Sequence, residues 1–276
     1  MIVSIEGDEK TAKTTFLLTA PLPIVLFAFD IGQQRAISGA QWDKYFAGKD
    51  IYTVKYPKGY AKLDDIKPEW GNHDITIIEL PSPIQLDTTR GTTGYVKLWQ
   101  YFIYLLGEAA SDDYVTTVGI DTMTIARRIK ADAHLEELND IAMREGKPPR
   151  KQLIQIEYGP INGAIENIYS VFATIGKTLI TTHHLMDEYK PQMISGVMTE
   201  APSGNKILEG WSKTYRAVDI AIRNELGKGN TITSKIVVCG PNISLQGVPI
   251  SPPEWNSLVD LIAGGTGDRV QLPRRE

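Results

Sequence analysis

Residues 2–18 read IVSIEGDEKTAKTTFLL: an apolar strand, a glycine, a polar loop and the start of an amphipathic helix. The spacing G-x-x-x-x-G-K-[ST] is met by Gly7, Lys13 and Thr14, with Ala12 where the second glycine belongs. A strand in front and a helix behind are the context in which this pattern wraps backbone N–H groups around a polyphosphate. The candidate contacts are therefore Gly7, Asp8, Glu9, Lys10, Thr11, Ala12, Lys13, Thr14 and Thr15. Lys13 brings a mobile charge to the terminal phosphates of ATP, and the Thr14 hydroxyl is a ligand for Mg²⁺. Two features pull the other way. Ala12 costs roughly 1 kcal/mol if its position needs positive φ, and Asp8 and Glu9 repel phosphate unless they turn outward. Lys-Thr-Thr also suits an ordinary helix start after a turn.

The chain around this stretch has the composition of a soluble globular protein: 276 residues, 42% hydrophobic and 22% charged. That length suffices for one large α/β domain. No apolar run approaches the roughly 20 residues of a membrane span, and the N-terminus lacks a signal sequence's basic region. The expectation is a cytoplasmic protein, in the host cytoplasm if phage-encoded, with no membrane partner. The single cysteine, Cys239, excludes an internal disulfide and a Cys-based zinc site. A net charge of −4 offers no global attraction to nucleic acid, so any such contact needs a local patch.

Along the chain, the phosphate-loop helix is predicted to continue through Ala20 until Pro21 and Pro23 end it. Ile24–Phe29 is a continuous apolar run that suits a buried parallel strand, with Asp30 at its carboxyl end, where open α/β sheets bind ligands. Strands at 51–55 and 75–79, a short helix at 59–70, a loop at 81–94 and a helix at 95–110 follow. The stretch from Tyr114 closes on Asp121, Thr122 and Thr124, the shape of a strand whose terminal carboxylate holds Mg²⁺ opposite Thr14. A charge-rich helix at 125–145 leads into a basic loop carrying Arg144, Lys147, Arg150 and Lys151. After a helix at 161–175, the last parallel strand spans 177–182. His183 and His184 stand at its exit, and one of them is a candidate hydrogen-bonding sensor of the terminal phosphate. Residues 185–206 lack clean periodicity and read as a long loop, either functional or disordered. Strands at 211–224 and 231–239, a terminal helix from Pro252 and a loose tail at 263–276 complete a single domain over residues 1–262.

With these motifs in order, residues 1 to about 222 resemble the RecA-like core of phage-type AAA nucleotide-binding proteins, the group that includes phage single-strand-annealing ATPases. The resemblance implies an α/β fold with a RecA-like P-loop core, a mostly parallel sheet flanked by helices and a C-terminal antiparallel extension. It implies hydrolysis of ATP with Mg²⁺, coupled to single-stranded DNA in recombination, annealing or replication. Lys13, Asp30 and His183 become the catalytic candidates, with Asp30 activating water and Glu79 in reserve; Thr14 and Asp121 become the metal candidates. Candidate DNA contacts are Arg144, Lys147, Arg150, Lys151 and Lys206, with Tyr189 and Trp211 as stacking candidates. A homo-oligomer, ring or filament, is implied, with Lys213 or Arg216 reaching a neighbour's site; a single-strand-binding protein is a further candidate partner. Two other readings of the same residues stay open: a nucleotide-binding module whose degenerate loop turns over little, and a P-loop kinase for a small molecule.

Overall fold

The computed structural model describes residues 1–30, 33–38, 43–55, 72–80, 94–194 and 197–266. The phosphate-loop strand β1 (Ile2–Gly7) is buried along its whole length. It lies within a nine-stranded sheet of order β11-β10-β9-β1-β6-β5-β2-β4-β3. The other strands are β2 (Ile24–Ala28), β3 (Ile51–Lys55), β4 (Ile75–Glu79), β5 (Thr117–Asp121), β6 (Thr178–His183), β9 (Ile220–Leu226), β10 (Ile232–Cys239) and β11 (Pro249–Ile250). Every pairing from β9 across to β3 is parallel, and β10 and β11 continue the sheet antiparallel.

Strand residues alternate between two apolar layers, as a sheet covered on both faces requires. Val25, Phe27, Val118 and Ile120 join one layer with α4 (Tyr95–Ser111), α5 (Met123–Arg144) and α6 (Tyr158–Ile175). Ile24, Leu26, Val3 and Ile5 join the other with α1 (Lys13–Leu17) and α8 (Trp255–Thr266). Two short helices, α2 (Gln33–Ser38) and α3 (Asp43–Phe46), follow β2. The architecture is thus α/β, a mostly parallel sheet flanked by helices with an antiparallel extension. No helix of the described residues is long and apolar enough to cross a membrane.

Three expectations are corrected. Helix α1 stops at Leu17, where Thr19 turns its hydroxyl back onto the Phe16 carbonyl ahead of Pro21. Residues 211–224 are not one strand: buried Trp211 starts a turn into α7 (Thr214–Ala217), and β9 then runs parallel to β1, so the antiparallel extension begins one strand later. Residues 185–206 are not a loop but a two-stranded antiparallel ribbon, β7 (Leu185–Ile194) and β8 (Val197–Leu208). Pro191 and Pro202 mask the strand pattern in the sequence, yet a two-stranded ribbon has only edges, where proline is tolerated. A register shift between Asp187 and Tyr189 further breaks the alternation. The predicted helix at 59–70, the loop at 81–93 and the tail from 267 lie outside the described residues.

Candidate functional site

The site grows from the turn between β1 and α1. A Cβ on Gly7 would sit 2.6 Å from the Asn224 carbonyl and the Thr11 hydroxyl, so only glycine fits there. Asn224, on the neighbouring strand β9, donates its side-chain amide to the Thr11 carbonyl at 2.8 Å and accepts from Ser234 at 2.7 Å. Thr11 in turn donates to the Asp8 carbonyl. Beneath the loop, buried Glu6 accepts from the Arg223 guanidinium and from the Tyr215 hydroxyl, fixing β1 to β9 and α7. Burial and the Glu6 carboxylate together raise the Tyr215 pKa.

Within the loop Lys10 and Ala12 adopt left-handed conformations, φ 62° and 56°. The position that usually carries glycine therefore does require positive φ. Ala12→Gly is expected to leave folding stability unchanged or raise it by up to about 1 kcal/mol; in a right-handed helical position the same change costs about that much. Chemical denaturation measures the difference, and a loss of about 1 kcal/mol would contradict the left-handed geometry.

Lys13 is buried, and its ammonium donates to the carbonyls of Gly7 (2.8 Å) and Asp8 (2.6 Å). Burial lowers its pKa, against the opposing pull of Asp121, Asp8, Asp30 and Glu9. The Thr14 hydroxyl donates to Asp121 Oδ2 at 2.8 Å, and Thr182 on β6 donates to Oδ1. Asp121 ends β5 on a cis peptide bond to Thr122. Burial raises its pKa; the bonds from Thr182 and Thr14 and the charge of Lys13 counteract that, and Asp30 reinforces it. Together the loop, Asp30 and Asp121 line one cavity of about 400 Å³.

Asp8 is turned outward and ion-paired to Lys206 on the ribbon at 2.6 Å, which answers the repulsion its position implied. Glu9 remains on the cavity wall. Glu79 is not on that wall; it accepts from the Gln33 amide at 2.8 Å.

The two histidines divide by strand alternation. Thr181 and His183 face Tyr169 of α6, and His183 Nε2 lies 3.1 Å from the Thr181 hydroxyl and 3.4 Å from the Tyr169 hydroxyl. His183 is buried and absent from the cavity wall, while Thr182 bonds Asp121 and His184 lines the cavity. Burial pushes the His183 pKa down to about 3, so the ring is neutral. Of the two histidines, His184 is therefore the one on the cavity wall.

Other candidates stand apart from the cavity. Arg144, Lys147, Arg150 and Lys151 are exposed at the α5–α6 corner, where Lys147 pairs with Glu145 and Arg150 with Glu157, each at 2.7 Å. Lys213 and Arg216 are exposed around α7. Trp211 is buried against Tyr169 with ring centroids 5.9 Å apart, so it packs the core and is not a stacking platform. Sequence reasoning missed Arg35, Ala36 and Ile232 on the cavity wall. Helix α2 is held there by the Thr15 hydroxyl donating to the Ala36 carbonyl, a contact with no signature in the sequence. Arg35 makes no ion pair among the described residues and joins Lys10 and Lys13 as a third cation on the cavity wall.

Thr14 and Asp121 offer two hard oxygens within hydrogen-bond distance of each other, a donor set suited to Mg²⁺ when phosphate oxygens and water complete its shell. No protein-family model matches the chain, and no curated protein sequence is similar to it.

Proposed function

We propose that this chain is a Mg²⁺-dependent ATPase of the RecA-like P-loop type that works on single-stranded DNA as part of an oligomer. One arrangement carries the reading: Lys13, the Thr14–Asp121 pair and Asp30 converge on a single cavity at the carboxyl ends of parallel strands. Insertion of β6 between β1 and β5 supports it too, because Thr182 thereby bonds Asp121 and His184 reaches the cavity wall.

In this reading Lys13 exchanges the Gly7 and Asp8 carbonyls for phosphate oxygens. The loop amides surround the β-phosphate, and Arg35 adds positive charge from α2. Thr14 and Asp121 would hold Mg²⁺, which would supply positive charge against the outer phosphates. Asp30 takes the proton from the water that attacks the γ-phosphoryl group, and His184 hydrogen-bonds a phosphate oxygen at the exit of β6. Positioning and charge neutralisation supply most of the rate.

The test is ATP turnover with Mg²⁺, with and without single-stranded DNA, with assembly state measured on the same samples. Turnover that rises with DNA is expected. Binding without turnover would leave a nucleotide-binding module, and phosphate transfer to a small molecule would leave a kinase.

A further inference from the structure

The β7–β8 ribbon leaves the sheet beside the cavity, and one face of it is apolar and uncovered. Met193 pairs directly with Met198, Tyr189 with Pro202 and Pro191 with Glu200, so these side chains share one face. Tyr189, Met193 and Met198 are 56%, 68% and 65% exposed. On the other face Lys190 pairs with Glu188 at 3.0 Å.

The ribbon is a poor fit for a polyanion. Residues 185–208 carry a net charge of −1, and their two cations, Lys190 and Lys206, are both ion-paired, to Glu188 and Asp8. An apolar face bearing Glu200 suits a protein surface that is apolar and basic.

The same chain presents such a surface at the α5–α6 corner. Ile154 and Ile156 are 57% and 81% exposed, and residues 144–157 carry a net charge of +2. Arg144 and Lys151 form no ion pair among the described residues. The corner is also held in shape: Asn139 donates to the Arg150 carbonyl at 2.9 Å and accepts from its amide at 2.7 Å, and Glu157 accepts from both the Arg150 guanidinium and the Ile154 amide. A preorganised surface loses little conformational entropy on docking.

From this complementarity we infer that the ribbon of one copy docks on the α5–α6 corner of a second copy. The two surfaces are different parts of the chain, so the contact is heterologous and repeats head to tail into a ring or filament. One consequence rests on the ATPase reading: because Lys206 is bonded to Asp8, seating the ribbon on a neighbour acts on the phosphate loop of the copy that owns the ribbon.

Sedimentation velocity without nucleotide tests the contact independently of that reading. The wild-type chain is expected to associate reversibly between about 1 and 100 μM, more weakly at about 1 M salt. Met193→Ser/Met198→Ser and Ile154→Ser/Ile156→Ser each change exposed side chains, so each should melt like wild type; each is expected to weaken association at least about tenfold. Mixed in equal amounts, the two variants retain one intact ribbon and one intact corner, and should form a dimer and nothing larger. Glu200→Lys and Lys151→Glu provide a second pair, each weak alone and restored on mixing. The inference is overturned by a wild-type chain that stays monomeric, by variants that associate like wild type or fail to complement, or by ribbon variants that lose single-stranded DNA affinity while self-association is unchanged.

Discussion

Lys13→Ala should lower ATP turnover by at least about a thousandfold, equivalent to about 4 kcal/mol of lost transition-state stabilisation. The size follows from what surrounds the ammonium. Asp121, Asp8, Asp30 and Glu9 all act electrostatically on it, so removing Lys13 takes away the cation that faces these carboxylates when a polyphosphate enters. Arg35 does not replace it, because it stands on α2 and not in the loop. Folding should survive: the ammonium bonds only the loop carbonyls of Gly7 and Asp8, and removing it relieves the desolvation that lowers its pKa. The expected pattern is a melting temperature near wild type with ATP affinity and turnover both lost. A variant retaining more than about a tenth of wild-type turnover would take Lys13 out of the mechanism.

The strand–turn–helix of β1 and α1 was legible because its signal is local: one spacing, one strand before and one helix after. Ile24–Ala28 was legible for a related reason, since a strand buried on both faces reads as an unbroken apolar run, and Thr117–Asp121 was legible from the acid that closes a mostly apolar stretch. His183 and His184 show where that legibility ends. Side chains alternate along a strand, so choosing which histidine enters the cavity requires the pairing of β6 with β1 and β5. Asn224 bonds a loop residue 213 positions away, and Ala36 bonds Thr15 with the whole of β2 between them in the chain. The ribbon was hidden differently: its prolines carry a breaker signal that holds for a central strand and not for an edge.

Asp121→Asn separates stability from function at one atom. The carboxylate is buried, accepts from Thr14 and Thr182, and has its pKa raised by desolvation. A group whose folded pKa lies above its unfolded value of 3.8 stabilises the fold most fully below that value, and the benefit is lost as pH rises through the folded pKa. As pH rises above that range wild type forfeits this benefit, whereas an isosteric amide does not titrate and its oxygen still accepts one of the two hydrogen bonds. The variant should be at least as stable as wild type near pH 7, with its relative advantage shrinking towards pH 4 in denaturant titrations. Turnover should fall at least about a hundredfold, close to 3 kcal/mol, and the Mg²⁺ concentration needed for the residual activity should rise, because the amide carries no charge to hold the metal's hydration shell. A stable variant with wild-type turnover and unchanged Mg²⁺ dependence would make Asp121 a structural carboxylate that merely ties Thr14 to Thr182.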